Sequence, residues 1–320
     1  YGALATTMTQ DAGERNILSG SRSFLGIIGN GLIVGVMTPI LVQALGGGDA
    51  AKGWQLTAII FAIIGVTCLW FTFFTSKEKY VSKEDNKISF VDLFKMVGRN
   101  KPFILIAVTI LLLASGMFIR TSAAAYYVTY NLGQEGLLPA FLGISVLTLM
   151  VGLIAGMVIA AKIGKKATMM IGLAGSIVGT LIFHIIPYQN TTALLAVNAL
   201  ISFALALGFG LVWSMISDTV EYSEWQTGVR SEGGIYSIAS FVMKLASAIA
   251  GGVPALILAV TLYEPNVEQT QLALNGIRSM MTIVPIIFSS LALVALYFYN
   301  LDEKTFAQIL ADLAARKEQS

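Results

Sequence analysis

Residues 103–130 read FILIAVTILLLASGMFIRTSAAAYYVTY, twenty-eight residues with a single charge, Arg120. As a helix this stretch would rise roughly 42 Å, more than the roughly 30 Å of hydrocarbon in a bilayer. Runs of the same kind recur at 22–46, 54–76, 138–161, 167–188, 192–217, 235–262 and 280–300, which makes eight. Most joints carry turn residues: Gly46-Gly47-Gly48-Asp49, Asn100-Lys101-Pro102, Gly164-Lys165-Lys166 and Tyr263-Glu264-Pro265-Asn266. Helices of this length satisfy their own backbone hydrogen bonds, which a bilayer demands. The expected fold is an all-α, polytopic membrane protein.

Composition agrees. The 320 residues are 56% apolar and 12% charged, with a mean hydropathy of +0.78, whereas a soluble domain is about a quarter charged. Twenty basic residues balance 18 acidic ones, so nucleic acid is not an expected partner; the lipid bilayer is. The only cysteine, Cys68, sits in an apolar run, which excludes an internal disulfide. The runs hold one histidine, His184, and no well-buried carboxylate. A membrane enzyme needs a convergent acid, base or metal set, so neither catalytic nor metal-ligating residues nor a cofactor are expected.

The stretch 77–101, KEKYVSKEDNKISFVDLFKMVGRNK, is the one long polar connection. Its Ile88, Val91, Phe94 and Val97 suggest a short amphipathic surface helix. Residues 1–76 thus hold two runs, 77–102 the connection, 103–300 six runs and 301–320 a tail. Fifteen basic residues fall on one side, from Arg15 through the lysines of the connection to Lys317, against Lys52 and Arg278 on the other. The basic side is cytoplasmic by the positive-inside bias, which places both ends of the chain on the cytoplasmic side of a cell membrane. The chain begins Tyr1-Gly2-Ala3-Leu4, with no methionine and no signal-peptide order, and is expected to start mid-protein.

Three basic residues fall inside runs: Arg22, Arg120 and Lys244. A cation near the bilayer centre needs a carboxylate or a water-filled cavity, and helices preceding Tyr1 are expected to supply the acids. Arg22 lies near a cytoplasmic end, where snorkelling to head groups is an equal alternative. Arg120 is two thirds of the way across and has an outward snorkelling alternative. Lys244 sits about 14 Å from its inner end, close to the midplane, which favours a functional role. Tyr126, Tyr127 and Tyr130 form an aromatic belt or a sugar platform, and Trp213 is similarly two-sided. His184 reads as an interfacial residue. Gly31 with Gly35, and Gly152 with Gly156, suit close helix contact; Pro254 and Pro285 mark hinges or kinks.

The segment after the sixth run is expected to be a cytoplasmic loop. It reads Asp218-Thr219-Val220-Glu221-Tyr222-Ser223-Glu224-Trp225-Gln226-Thr227-Gly228-Val229-Arg230-Ser231-Glu232. It resembles the D-x-V-[DE]-Y-x-E-[WY]-x-T-G-x-R-x-E loop of the glycoside-pentoside-hexuronide:cation symporters of the major facilitator superfamily, the melibiose permease type. The opening Leu4-Ala5-Thr6-Thr7-Met8-Thr9-Gln10-Asp11, with Glu14-Arg15, Leu18 and Arg22, resembles that family's junction between helices IV and V. The resemblance covers the whole chain. It implies that about three and a half of twelve helices precede Tyr1, and that eight are present.

From the family, Arg22 is implied to contact sugar hydroxyls and Lys244, on helix XI, to stand beside the cation site. Ser240, one turn before Lys244, shares its face; Trp213 and Tyr126 complete the substrate-binding set. Arg15, Asp218, Glu221, Arg230 and Glu232 resemble the charged set that closes the cytoplasmic side. Arg120 departs from the melibiose permease type, which has an apolar residue there, and points to an acidic sugar such as a hexuronide. The expected activity is symport of a sugar with Na⁺ or H⁺ by alternating access, in a monomer, the partners being a small sugar and a monovalent cation. A non-transporting sensor or lipid carrier on the same fold is the alternative.

Overall fold

The computed structural model describes residues 25, 26, 29, 37–75, 97–228 and 232–318. Arg15, Arg22 and Arg230, the Gly31 and Gly35 pair, and the amphipathic helix expected around residues 88–94 lie outside them. The chain divides into two units, residues 1–87 and 88–320. Among the described residues seven helices are long and apolar enough to cross a membrane; most of the run 22–46 falls outside that description.

In the first unit, α1 (Thr38–Gly46) and α2 (Ala50–Thr75) are antiparallel neighbours. Gly47 and Gly48 take φ of 55° and 97° to make the turn, which favours glycine. The Asp49 carboxylate accepts from the backbone of Ala51 at 2.9 Å and opens α2. Trp70, Phe71, Phe73 and Phe74 project outward from α2, as lipid-solvated side chains do.

The second unit holds α3 (Lys101–Tyr126), α4 (Leu138–Ile163), α5 (Lys165–Ile185), α6 (Thr191–Phe209), α7 (Val212–Thr227), α8 (Glu232–Val260), α9 (Gln271–Met281), α10 (Ile283–Tyr297) and α11 (Glu303–Glu318). Asn100 caps α3 through Phe103 N at 3.0 Å and also donates to Thr219 O of α7 at 2.8 Å, so one amide starts a helix and ties it to another. Glycine sets the packing of α4, α5 and α6: a Cβ at Gly152 would meet Phe203 O at 2.6 Å, and one at Gly172 would meet Ala204 O at 2.5 Å. Lipid is as apolar as leucine, so such close backbone approach replaces the hydrophobic effect as the source of contact. Helix α3 packs against α8 and α10 and is the most buried of the spans.

Two expectations need correction, and the tail gains a structure. The segment after the sixth run is helical as far as Thr227, because glycine first interrupts it at Gly228, which takes φ 72°. Its Asp218, Thr219, Val220 and Ser223 are buried, so this is a helix face rather than a loop. The last span starts at Gln271, not at residue 280, and is broken at Thr282 into α9 and α10. The polar Gln271, Asn275 and Arg278 mask its first turns in a hydropathy reading. The tail forms α11, docked through Ile309 and Leu313, with Trp225 donating to Asp312 at 2.9 Å and Arg316 to Trp225 O at 2.8 Å.

Candidate functional site

Helix α8 presents two faces. Ile235, Ala239, Ala246, Ala250 and Pro254 are buried, and the small side chains among them let α8 lie close to α3. The other face exposes Ser237, Ser240, Phe241, Lys244 and Ser247. Lys244 stands twelve residues into the 29 of α8, about 18 Å from its start and well inside any bilayer it crosses. Among the described residues no carboxylate pairs with it. A charged ammonium at that depth requires water or a counter-charge rather than acyl chains.

The hydroxyl of Ser240 donates to Tyr236 O at 2.8 Å, leaving its lone pairs open to a donor. One turn nearer the helix start, Tyr236 stacks on Trp213 of α7 with rings 9° apart and centroids 6.2 Å apart. Both rings are more than a third exposed. A flat aromatic pair, a hydroxyl and an ammonium along one face is a set that suits a sugar: rings for C–H faces, oxygen and nitrogen for hydroxyls.

Tyr126 is not part of that face. It packs edge-on against Tyr263 at 5.5 Å, and Tyr263 in turn donates to the Tyr130 hydroxyl at 2.9 Å. Tyr263 lies beyond the end of α8, at least roughly 24 Å along the axis from Lys244. Tyr126 therefore serves an aromatic cluster at the opposite end of the bundle.

Arg120 does not face the α8 surface either. It is 6% exposed. One guanidinium nitrogen donates to Met281 O, another to Asn198 Oδ1 at 2.9 Å, and the plane lies 4.7 Å from the Phe183 ring. Asn198 is itself held by Ser145 Oγ at 2.7 Å and Phe141 O at 3.2 Å. The expectation that an acid from elsewhere must neutralise Arg120 is corrected: neutral acceptors and a ring hold it within its own bundle. The inference of an acidic sugar from Arg120 loses its footing with it.

At the end bearing the α4–α5 turn, Asp218 meets Lys165, whose ammonium donates to both carboxylate oxygens at 2.6 and 2.8 Å. Glu303 accepts from Lys165 N at 2.5 Å. Its carboxylate also lies 2.6 Å from where a Cβ on Gly164 would stand, and Gly164 has φ 91°, so only glycine fits. Lys166 donates to Tyr297 O at 2.9 Å and Tyr299 O at 2.5 Å. A cavity of about 150 Å³ lies among Lys165, Asp218, Tyr299 and Glu303. Glu221 follows Asp218 by one turn on α7, and Glu232 opens α8. Lys165, to which the sequence assigns no site role, is thus the direct partner of the motif's first acid, and Glu303, equally unassigned, lines the same cavity.

The chain matches the family model described as MFS/sugar transport protein over residues 1–303. It is 34% identical over 319 residues to a symporter of Bacillus subtilis named YnaJ, covering 99% of this chain and 69% of that protein. This chain belongs to the MFS sugar-transport family. The isoprimeverose transporter of Lactiplantibacillus pentosus is 32% identical across 99% of the chain and 66% of its own length. A glucuronide carrier protein homologue of Escherichia coli is 31% identical, with 99% and 69% covered. The chain therefore spans about two thirds of the length of these relatives. They place the transporter among the glycoside-pentoside-hexuronide:cation symporters, as the α7 motif leads one to expect, and its apolar spans make it a multi-pass membrane protein.

Proposed function

We propose that this transporter moves a sugar together with Na⁺ or H⁺ across the cell membrane by alternating access, and that the exposed face of α8 belongs to its binding site. The observation that carries the reading is Lys244: a mid-span lysine on an exposed polar face, one turn from Ser240 and two from the Trp213 and Tyr236 pair. When the site is empty its ammonium stands in for the coupling cation; an arriving cation displaces it, which links cation binding to sugar binding. Arg22 would reach sugar hydroxyls with its two-pronged guanidinium. Asp218, Glu221 and Glu232, with Arg15 and Arg230, would close the cytoplasmic side, Asp218 acting from its pair with Lys165. The excess of basic residues beside the connection and the tail supports a cytoplasmic location for both.

The test is sugar uptake into energised proteoliposomes by the full-length protein and by Lys244→Met. Cation-driven accumulation that collapses in the variant supports the reading. Sugar binding without accumulation in the unmodified protein would make it a sensor instead. Normal accumulation by Lys244→Met would remove the lysine from coupling.

A further inference from the structure

The break in the last span has a specific chemical origin. In an α-helix the N–H of residue i donates to the carbonyl of residue i−4. Residue 285 is proline, which has no N–H, so the carbonyl of Met281 loses its donor. Helix α9 ends at Met281, Thr282 departs from helical geometry at φ −130° and ψ −72°, and Ile286 N resumes the ladder on Thr282 O at 3.0 Å. A carbonyl orphaned inside a bilayer is costly unless another donor reaches it, because no water is there to replace the lost hydrogen bond. That donor is the guanidinium of Arg120, 161 residues away in sequence.

We propose that Arg120 is a positioning residue that supplies the hydrogen bond Pro285 removes, pinning the broken last span to the rest of its bundle, and that it does not contact the transported sugar. The fork suits the task. One arm takes Met281 O at the C-terminal end of α9, where the helix dipole favours a cation. The second arm takes Asn198 of α6, whose amide is fixed by Ser145 and Phe141 of α4. The Phe183 ring of α5 covers the plane at 4.7 Å. One side chain on α3 thereby joins four other helices, while α8, the helix of Lys244, is not among them. A second clamp holds the break itself. Thr282 Oγ1 donates to Arg278 O at 2.8 Å and so accepts from His184 Nδ1 at 3.0 Å. The inference does not rest on the proposed sugar site and stands whichever solute is carried.

The experiment is a double-substitution cycle in the full-length protein, reading detergent melting temperature and equilibrium affinity for the transported sugar. Arg120→Met should lower the melting temperature by roughly 3–8 °C, since it strands two buried acceptors, with sugar affinity within about 3-fold of the unmodified protein. Pro285→Ala returns an N–H in register with Met281 O, so in that background Arg120→Met should cost less than roughly half as much. Additive losses would overturn the pin. So would a 10-fold or greater loss of affinity that Pro285→Ala leaves untouched, the mark of a sugar ligand. If Arg120→Met does not reach the membrane, recovery of the double variant is the expected coupling. If the double variant is lost as well, the cycle is run with Arg120→Lys, where absence of coupling to Pro285→Ala overturns the proposal.

Discussion

Arg120 and Lys244 are both cations in membrane-spanning helices, yet they are opposite cases. Arg120 is 6% exposed and fully engaged by a carbonyl, an amide and a ring. Lys244 stands on an exposed face with no acidic partner among the described residues. Depth in the membrane alone does not distinguish them. The difference lies in what the surrounding helices offer: a proline four residues beyond Met281 frees an acceptor that the arginine takes, whereas among the described residues no hydrogen bond or ion pair holds the Lys244 ammonium, although α8 carries a proline of its own, Pro254. A buried charge is thus read against nearby helix breaks before it is assigned to a ligand.

The largest effect that would sharpen this contrast is at Lys244. Lys244→Met should lower cation-driven accumulation at least about 10-fold while sugar affinity changes by less than about 3-fold, and Lys244→Arg should recover only part because the guanidinium is broader and less easily displaced. Equal losses of accumulation and affinity would make Lys244 a plain sugar ligand.

A middle-sized effect is expected at Asp218, where an ion pair belongs to one bundle. Asp218→Ala leaves the Lys165 ammonium beside a half-buried wall and should cost about 1–3 kcal/mol of stability, and Lys165→Met made together with it should restore part of that. Melting of the two single and the double variants checks this; a double variant that adds both losses would show the pair to be independent residues.

The smallest effect is at the α11 cap. Asp302 accepts from Thr305 N at 2.9 Å, and these hydrogen bonds from Thr305, ahead of the nearby Lys304 and Lys166, hold its carboxyl below the usual range. A carboxyl depressed on folding contributes stability that is present above its unfolded pKa, about 3.9, and lost as pH falls through the folded value. Asp302→Ala should loosen the tail helix by at most about 1 kcal/mol near neutral pH and remove the part of its pH dependence that falls below pH ~4. Hydrogen exchange in residues 303–318 at two pH values reads both.

Most of the spans were legible in the sequence because hydrocarbon thickness imposes a long, uninterrupted apolar run, and Gly47, Gly164 and Pro102 mark their ends. The limits failed where polarity and helicity part company: Gln271, Asn275 and Arg278 are polar yet helical, and residues 218–227 are charged yet form a buried helix face. In the site, the shared face of Ser240 and Lys244 followed from helical spacing alone. The partners of Arg120 did not, because they are neutral groups 78 and 161 residues away. A signal was present all the same, in the four-residue offset between Pro285 and the carbonyl it orphans. The pairing of Lys165 with Asp218 had no comparable local signature, since a turn lysine looks the same whether it meets water or a carboxylate.

Sugar and cation are proposed to bind on the face of α8 that carries Ser240 and Lys244. Cys68 is the only cysteine in the chain, so its replacement by serine, with any cysteine elsewhere in the full-length protein likewise removed, gives a background in which Ser240→Cys can be labelled alone. The rate of labelling by a small thiol reagent, measured in membranes with and without sugar and cation, is the most direct test. Sugar and coupling cation together should slow labelling at residue 240 at least about 5-fold, as a bound solute covers the face, while a cysteine at Leu256, exposed farther along α8, is unaffected. Labelling at residue 240 that proceeds at the same rate with and without both solutes would contradict it.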